Sequence, residues 1–312
     1  MEFRNVMTNV GIVGSGKWAL AISKVLKGVN TTIKTRNINK TKKIFTETKK
    51  IKLTESFDLL RDQDIIFFVT PSQTFRSILK KLPIGLNSKL IICSKGVEKK
   101  SNMLMSEVLE EFFPKSNFGI LSGPNFSYEV IKGLPTATVI SSRSSNLLNY
   151  VSKIIAQDRF RTYFNNDVIG TQVGGAMKNV IAIASGFILG NGLGNNANAS
   201  IITRGLSEMI QLGLKMGAKK NTFYGLSGIG DLTLTCSSLK SRNTRLGYLL
   251  AKKKKKPNAV VEGMESCDSI CSLGKKFDVE LPICNAVKKI LSGRSLNEIT
   301  KILLSRPLQF ER

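Results

Sequence analysis

Short apolar runs alternate with polar stretches of helical period along the first half of the chain. Runs of consecutive apolar residues are typical of strands that are buried on both faces of a parallel sheet. We therefore predict strands at residues 10–13, 31–35, 65–70, 90–93, 118–121 and 137–140. Helices are predicted between them, for example at 19–27 and 102–112. This alternation predicts a doubly wound, largely parallel sheet over residues 1–165.

The pattern changes after about residue 165, where stretches of helical period dominate and little strand signal remains. The predicted helices lie at 168–186, 197–216, 244–253, 266–276 and 284–291. A chain of 312 residues is long enough for two domains. We therefore expect an α/β chain in which an all-α domain over residues 166–312 follows the sheet domain. Because no apolar run reaches the ~18 residues of a membrane span and the N-terminus does not resemble a signal peptide, we expect a soluble cytoplasmic protein.

A glycine-rich turn joins the first predicted strand to the first predicted helix. Gly14, Gly16 and Ala19 fit the pattern G-x-G-x-x-G/A, in which the first glycine permits a tight turn and the second lets the backbone approach a pyrophosphate. The helix that follows offers free N–H groups to the phosphates. In this context the motif predicts a Rossmann-type domain that binds a dinucleotide. The alternative is a glycine turn without a ligand.

The end of the second predicted strand bears on which dinucleotide is bound. An acidic residue about 20 positions beyond the fingerprint would bind the ribose 2′-hydroxyl of NAD. The chain has Lys34, Thr35, Arg36 and Asn37 there, and no acid. The planar guanidinium of Arg36 suits a 2′-phosphate. The sequence therefore favours NADPH, with NADH as the alternative, unless Arg36 is only a surface charge.

Lys178 is a lone charge within the small and apolar helical segment 173–184. Its neighbours three and four positions away include no acid that would pair with it. A lysine buried on such a face tends toward a lowered pKa, which suits a proton donor or a group that polarises a carbonyl. Because the chain contains no histidine, the proton donor of an oxidoreductase would be a lysine, tyrosine, cysteine, carboxylate or water. The alternative is a lysine whose stem covers apolar surface while its charge reaches solvent.

Two segments of the second half carry polar residues typical of ligand contacts. A glycine-flanked turn at 228–231 presents the Asp231 carboxylate, with Thr235 one helical turn further on. Ser241 and Arg242 precede another helix, where a serine can cap the helix and an arginine can bind phosphate in a bidentate manner. Taken alone, this second segment favours ordinary capping beside a surface arginine.

Two loops follow strands of the predicted sheet, at 94–96 and 122–126. Doubly wound folds bind ligands at the carboxyl ends of their strands. Lys95, in the first of these loops, would add a positive charge beside a phosphorylated substrate.

The net charge of +25 indicates either a nucleic-acid-binding protein or a solvated basic surface that also favours small anionic ligands. The lysines are spread over the chain, with one run at 252–256 that is predicted to be the exposed end of a helix, and no nucleic-acid motif is present.

The five cysteines show no disulfide framework. Cys267 and Cys271 lie four positions apart without further ligands nearby, so we expect no metal site.

Together these segments resemble the bacterial glycerol-3-phosphate dehydrogenase family over most of the chain. The matching runs lie, in chain order, at 69–73, 94–98, 121–126, 133–136, 174–183, 202–206, 228–232, 241–243 and 260–263. The resemblance implies reversible reduction of dihydroxyacetone phosphate to sn-glycerol 3-phosphate with NADPH or NADH. It also implies a homodimer that supplies the glycerol phosphate backbone for membrane phospholipid synthesis.

The resemblance further implies roles for individual residues. Lys178 matches the family's catalytic lysine, which is the proton acceptor in glycerol phosphate oxidation. The implied substrate-binding residues are Lys95, Gly123, Asn125, Lys178, Asp231, Ser241, Arg242 and Asn243. The cofactor-binding residues, with the fingerprint included, are Gly14, Gly16, Lys17, Trp18, Arg36, Lys95, Ser127, Arg242, Val260 and Glu262.

The chain also departs from the family pattern. Ala19 replaces the third fingerprint glycine, Lys17 stands where a small residue is common, and Asn125 replaces a serine or threonine. The stretch 39–53 is short and lysine-rich and lacks the family's usual loop. A related β-hydroxyacid dehydrogenase would share the two-domain plan and a catalytic lysine, but the segments 228–231 and 241–243 argue against it.

Overall fold

The computed structural model describes residues 7–46, 51–83, 87–255, 257–295 and 298. The expectations for residues 1–6, for part of the stretch 39–53 and for Lys256 therefore lie outside the described residues. The chain divides into two compact units. The sheet unit consists of the described residues of Met1–Ser94 and Met105–Val168, and the helical unit of those of Lys95–Leu104 and Ile169–Arg312.

The sheet unit is built on one eight-stranded sheet. Its strands are β1 (Thr8–Val13), β2 (Val29–Lys34), β3 (Ile51–Thr54), β4 (Ile65–Phe68), β5 (Lys89–Ile92), β6 (Phe118–Ser122), β7 (Thr136–Ser141) and β8 (Phe160–Asn165). The order is β3-β2-β1-β4-β5-β6-β7-β8, and each neighbouring pair is parallel except β6 and β7. Since β1 lies between β2 and β4, the sheet is doubly wound, and the predicted fold class is confirmed.

Burial explains which strands could be predicted. All four residues of β4 are fully buried, as a continuous apolar run requires. The edge strand β8 has no such run, and its Tyr163 and Phe164 side chains are exposed. The short edge strand β3 is also only partly buried. These two strands were therefore not predicted, whereas the six predicted strands are present.

Among its described residues the sheet unit has six α-helices: α1 (Lys17–Val25), α2 (Ile38–Lys42), α3 (Phe75–Leu79), α4 (Met105–Phe112), α5 (Ser127–Ile131) and α6 (Ser145–Ile155). The apolar face of α1, including Ala19 and Ile22, packs in one core cluster with β1. The helix predicted from residue 102 begins only at Met105, because Lys100 and Asn102 adopt left-handed φ angles of 72° and 57°.

The helical unit contains seven α-helices among its described residues: α7 (Val168–Gly190), α8 (Gly194–Lys215), α9 (Lys220–Phe223), α10 (Asp231–Cys236), α11 (Arg242–Ala251), α12 (Glu262–Lys276) and α13 (Pro282–Leu291). A short π-helical segment, Leu226–Gly230, leads into α10. The five helices predicted for this region are present, and the short helices α9 and α10 were not predicted. The lysine run was expected to be the exposed end of a helix; Lys252 to Lys255 are exposed, and Lys252 is the C-cap of α11, but the helix does not continue through the run. Helix α11 ends at Ala251, and Lys253 then adopts a left-handed φ of 53°.

Helix α7 is the core of the helical unit. It is long and apolar enough to cross a membrane by length and composition, but 89% of its most apolar window is buried inside the protein. Helix α11 approaches α7 closely, since a Cβ on Gly186 would lie 1.8 Å from the Thr244 carbonyl oxygen and one on Gly247 would lie 2.0 Å from that of Ile183. Glycines at these contacts let the two backbones meet. Such burial is typical of the core helix of a folded domain.

The segment between β5 and α4 belongs to the helical unit. Val97 and Leu104 pair across an antiparallel bridge and are buried in the helical core. The backbone N–H of Val97 donates to Ser266 Oγ on α12 at 3.3 Å, and Ser269 Oγ donates to the Glu98 carbonyl oxygen at 3.1 Å. This excursion, residues 95–104, carries Lys95 into the helical unit.

Candidate active site

The fingerprint turn leaves room for a ligand at the start of α1. Gly14 has a φ of 119°, and a Cβ there would lie 2.3 Å from the Val69 carbonyl oxygen, so the turn requires glycine. A Cβ on Gly16 would meet no protein atom within 4 Å. Gly16 is the N-cap of α1 and supplies no side-chain acceptor to the first-turn N–H groups. Open space beside free N–H groups fits a dinucleotide pyrophosphate.

Hydroxyl groups connect the fingerprint to the end of β2. Ser15 Oγ lies 2.9 Å from Thr35 Oγ1, which lies 2.7 Å from Thr41 Oγ1. Arg36 follows this buried threonine and is exposed. Lys17 is also exposed, whereas Trp18 packs partly against the core of the sheet unit. Hydrogen bonds therefore hold this end of β2, and the guanidinium of Arg36 next to it is accessible.

The loop after β6 is held against β7. Gly123 has a φ of 119°, and Asn125 Nδ2 donates to the Ala137 carbonyl oxygen at 2.8 Å. Thr138 Oγ1 donates to Asn125 Oδ1 at 3.0 Å. Ser127 is the first residue of α5. Asn125 therefore fixes the loop, because its amide oxygen and one of its two N–H groups are used within the protein.

A buried lysine–aspartate pair lies at the centre of the helical unit. Lys178 Nζ, on α7, donates to Asp231 Oδ1 at 2.8 Å and to Thr235 Oγ1 at 2.9 Å. Asp231 is the first residue of α10, which places Thr235 one turn later on the same face. Lys178 is 8% exposed and Asp231 is 1% exposed. The lysine is thus buried and paired, and the solvent-reaching alternative was wrong.

Lys95 adds a second ammonium to this pair. Its Nζ donates to the other oxygen of Asp231, Oδ2, at 2.5 Å. Burial lowers the pKa of Lys178 below its usual value, Asp231 opposes that shift, and Lys95 adds to it. Burial would raise the pKa of Asp231, but attraction to Lys178 and Lys95 brings it below its usual value. The cluster therefore holds one carboxylate between two cations.

A network of side-chain amides lies beside the Lys178–Asp231 pair. Asn243 Nδ2 donates to Asn179 Oδ1 at 2.8 Å, and the Gly263 N–H donates to Asn243 Oδ1 at 2.9 Å. Asn179 Nδ2 donates to Glu262 Oε2 at 3.1 Å. Residue-by-residue prediction omitted Asn179, although it directly follows Lys178. The network brings the predicted substrate residue Asn243 and the predicted cofactor residue Glu262 together.

Ser241 and Arg242 begin α11. Ser241 is the N-cap, and its Oγ accepts from the Thr244 N–H at 3.3 Å, which confirms the capping expected from the sequence. The exposed Arg242 donates from Nη1 to the Val260 carbonyl oxygen at 2.8 Å. Val260 is itself 45% exposed. Arg242 is therefore held at the surface with most of its N–H groups open to a ligand.

The cysteines lie outside these groups. All five are buried free thiols. Within the part of the chain that the structure describes, no group of three histidine, cysteine or acidic side chains is arranged to hold a metal ion. The Lys95–Asp231–Lys178 cluster is therefore the candidate for acid–base chemistry in the helical unit. A buried lysine with a lowered pKa, held by a carboxylate, can deliver a proton to a carbonyl oxygen.

Comparison with known proteins gives the same family over both halves of the chain. Residues 9–148 match the model of the NAD-dependent glycerol-3-phosphate dehydrogenase N-terminus, and residues 167–301 match that of its C-terminus. The chain is 35% identical to glycerol-3-phosphate dehydrogenase [NAD(P)+] of Parvibaculum lavamentivorans, over 97% of this chain and 98% of that protein. It is 39% identical to the protein of that name from Carboxydothermus hydrogenoformans, over 90% and 91% of the two chains.

A solved structure agrees with this assignment. The crystal structure of glycerol-3-phosphate dehydrogenase from Coxiella burnetii matches with a TM-score of 0.89 and 29% identity, over 96% of this chain and 99% of that chain. The chain belongs to the NAD-dependent glycerol-3-phosphate dehydrogenase family.

Proposed function

We propose that this family member catalyses the reversible reduction of dihydroxyacetone phosphate to sn-glycerol 3-phosphate, with NADPH as the preferred cofactor and NADH as an alternative. The observation that carries the proposal is the buried cluster in which Asp231 binds the ammonium groups of both Lys178 and Lys95. A ketone reductase needs a proton donor, and Lys178 meets that need in a chain without histidine.

Each group of the cluster has a distinct part in this chemistry. Lys178 donates its proton to the ketone oxygen during reduction and accepts it during oxidation. Asp231 orients the Lys178 ammonium, and Lys95 contributes positive charge that stabilises the developing oxyanion. A bound nicotinamide cofactor supplies the hydride. The open space at Gly16 and the free N–H groups of α1 support the placement of its pyrophosphate at the fingerprint.

The substrate phosphate is assigned to the start of α11. Arg242 presents a planar donor set suited to a phosphate, and Asn243 lies beside it with one N–H committed to Asn179. Gly123, Asn125 and Ser241 are assigned to the same substrate by resemblance. Lys17, Trp18, Ser127, Val260 and Glu262 are likewise assigned to the cofactor. Arg242→Leu should raise the KM for dihydroxyacetone phosphate by about ten- to a hundredfold, because a charge-assisted hydrogen bond to phosphate is lost.

The wider setting of the enzyme also follows from the family resemblance. The proposed enzyme is a cytoplasmic homodimer whose product serves glycerophospholipid synthesis, and it requires neither a metal nor nucleic acid. Sedimentation velocity tests the dimer, since a mass near 34.3 kDa would indicate a monomer and contradict this part of the proposal.

The experiment that tests the reaction is a substrate panel. Dihydroxyacetone phosphate, unphosphorylated dihydroxyacetone and a β-keto acid are compared at equal concentration with NADPH and then NADH. We expect turnover of dihydroxyacetone phosphate and little or none of unphosphorylated dihydroxyacetone. Preferred turnover of the β-keto acid would instead identify a β-hydroxyacid dehydrogenase and overturn the assignment.

A further inference from the structure

Positive charge is concentrated at the carboxyl end of β2. Lys34 is the last residue of the strand, Arg36 follows two positions later, and Lys81 lies close enough to influence the Lys34 ammonium. Glu55 is the acid in this neighbourhood, and its Oε1 already accepts from the Ile38 N–H at 2.9 Å. Three cations that lie near one carboxylate leave an excess of positive charge, which indicates a binding site for an anion.

Lys34 is buried without a bonded counter-ion. It is 8% exposed, its Nζ donates to the Thr35 carbonyl oxygen at 2.9 Å, and the same atom lies 4.2 Å from the centre of the Phe57 ring. Among the residues that the structure describes, no carboxylate lies within ion-pair distance of it. Burial lowers the pKa of this ammonium, and Lys81 lowers it further. An anionic ligand would offset both effects.

The position of Lys34 indicates which anion fits. Its carbonyl oxygen accepts from the Gly14 N–H at 3.0 Å, so the residue is tied directly to the first fingerprint glycine. The next residue, Thr35, contacts Ser15 of the same turn. In dinucleotide-binding folds this end of the second strand faces the adenosine ribose, and an acid there selects the 2′-hydroxyl. Here the place of that acid is taken by cations.

We propose that Lys34 is a second cation for the adenosine 2′-phosphate of NADPH, acting with Arg36, and is therefore a specificity-determining residue of this enzyme. The inference rests on the proposed use of NADPH. It assigns to Lys34 a role separate from that of Arg36. The exposed arginine binds the outer oxygens, and the buried ammonium supplies charge that solvent screens less.

The chain offers a matched control for this proposal. Lys89 also places its ammonium over an aromatic ring, 4.4 Å from the centre of Tyr150. It is the first residue of β5, whereas Lys34 is the last residue of β2. The strands β2, β1, β4 and β5 are parallel, so Lys34 lies where these strands end and Lys89 lies where they begin. Lys89→Met therefore removes the same charge and the same kind of ring contact away from the cofactor.

The test measures binding of two adenosine fragments by isothermal titration calorimetry. Adenosine 2′,5′-bisphosphate carries the 2′-phosphate, and adenosine 5′-monophosphate does not. Lys34→Met should weaken binding of the bisphosphate by about tenfold, equivalent to about 1.4 kcal/mol. Binding of the monophosphate should weaken by less than about twofold. Lys34→Arg should keep most of the affinity, and Lys89→Met should match the wild type. Lys34→Gln provides a second neutral variant in case the methionine variant does not fold.

The outcomes separate this inference from the proposed function. If a folded Lys34 variant loses affinity equally for both fragments, or loses none for either, the inference is overturned. Arg36 would then remain the residue that determines the preference for NADPH. Wild-type protein that binds the two fragments equally would overturn both the inference and the preference for NADPH. A loss confined to the bisphosphate supports Lys34 as a determinant.

Discussion

Asp231 is the residue whose removal tests the site most sharply, because its carboxylate contacts both lysines. Asp231→Asn keeps the shape and one oxygen acceptor but removes the charge. At the Lys178 Nζ–Oδ1 distance of 2.8 Å, an effective dielectric constant of about 20 gives an attraction of about 6 kcal/mol. The remaining amide dipole and local relaxation return part of this energy. We therefore expect the pKa of Lys178 to fall further, because the Asp231 charge that raises it is gone.

The sign of the effect on catalysis follows from the role of Lys178. Reduction requires protonated Lys178, so kcat/KM for dihydroxyacetone phosphate falls as the pH rises through the pKa of Lys178. Removal of the Asp231 charge lowers that pKa, and the alkaline limb of the profile should move to lower pH. The assay is kcat/KM between pH 6 and 10, with circular dichroism at each pH as the folding control. Breaking a buried ion pair also costs about 3–5 kcal/mol of stability, so the measurements belong well below the variant's melting temperature. An alkaline limb that stays in place, or moves to higher pH, would show that Asp231 does not raise the pKa of the proton donor.

Four further substitutions have outcomes that follow from the structure. Lys178→Ala should lower kcat by about 10²- to 10⁴-fold while leaving NADPH affinity, measured by quenching of the single tryptophan, nearly unchanged; near-normal turnover would show that the assignment of the proton donor is wrong. Gly16→Ala should melt like the wild type but bind NADPH at least about tenfold more weakly, because its new methyl group enters the space left for the pyrophosphate. Gly14→Ala, in contrast, should lower the free energy of unfolding in urea by about 1–3 kcal/mol, because alanine at this positive φ is strained. Equal stability of the Gly14 and Gly16 variants would contradict the turn geometry. Glu208→Ala should lose about 2–4 kcal/mol in the same assay, because the buried Glu208 carboxylate accepts from the Ile283 N–H at 2.5 Å at the start of α13; a loss below about 0.5 kcal/mol would mean that water replaces it.

The sequence predicted the centre of the sheet better than its edges. Central strands such as β4 are buried on both faces, and their continuous apolar runs are visible without any tertiary information. The edge strand β8 has exposed aromatic and charged side chains, so its pattern does not differ from that of a loop. Helix starts were shifted for a similar reason. Left-handed residues such as Asn102 are fixed by local backbone geometry that the periodicity does not encode.

The site was predictable in its parts but not in its pairing. Lys178 was visible as a charge in an apolar helix, and Asp231 as a carboxylate in a glycine-flanked turn. Their 53-residue separation is outside the range of helix spacing rules, so the ion pair could not be predicted from local pattern. The excursion that carries Lys95 into the helical unit was also not predicted, because its burial depends on Val97 and Leu104 packing against helices far along the chain. Asn179 was omitted because its partners Asn243 and Glu262 lie 64 and 83 residues further along the chain, where no local pattern connects them to it.

The proposed reaction delivers hydride to dihydroxyacetone phosphate, with Lys178 as the proton donor. The most direct test incubates the wild type and Lys178→Ala with dihydroxyacetone phosphate and NADPH that carries two deuterium atoms at the nicotinamide C4. Mass spectrometry and NMR then locate the label in the product. The proposed reaction yields sn-glycerol 3-phosphate with one deuterium at C2 from the wild type and almost none from Lys178→Ala. Absence of labelled product from folded wild-type protein, or equal labelling by the two proteins, would contradict it.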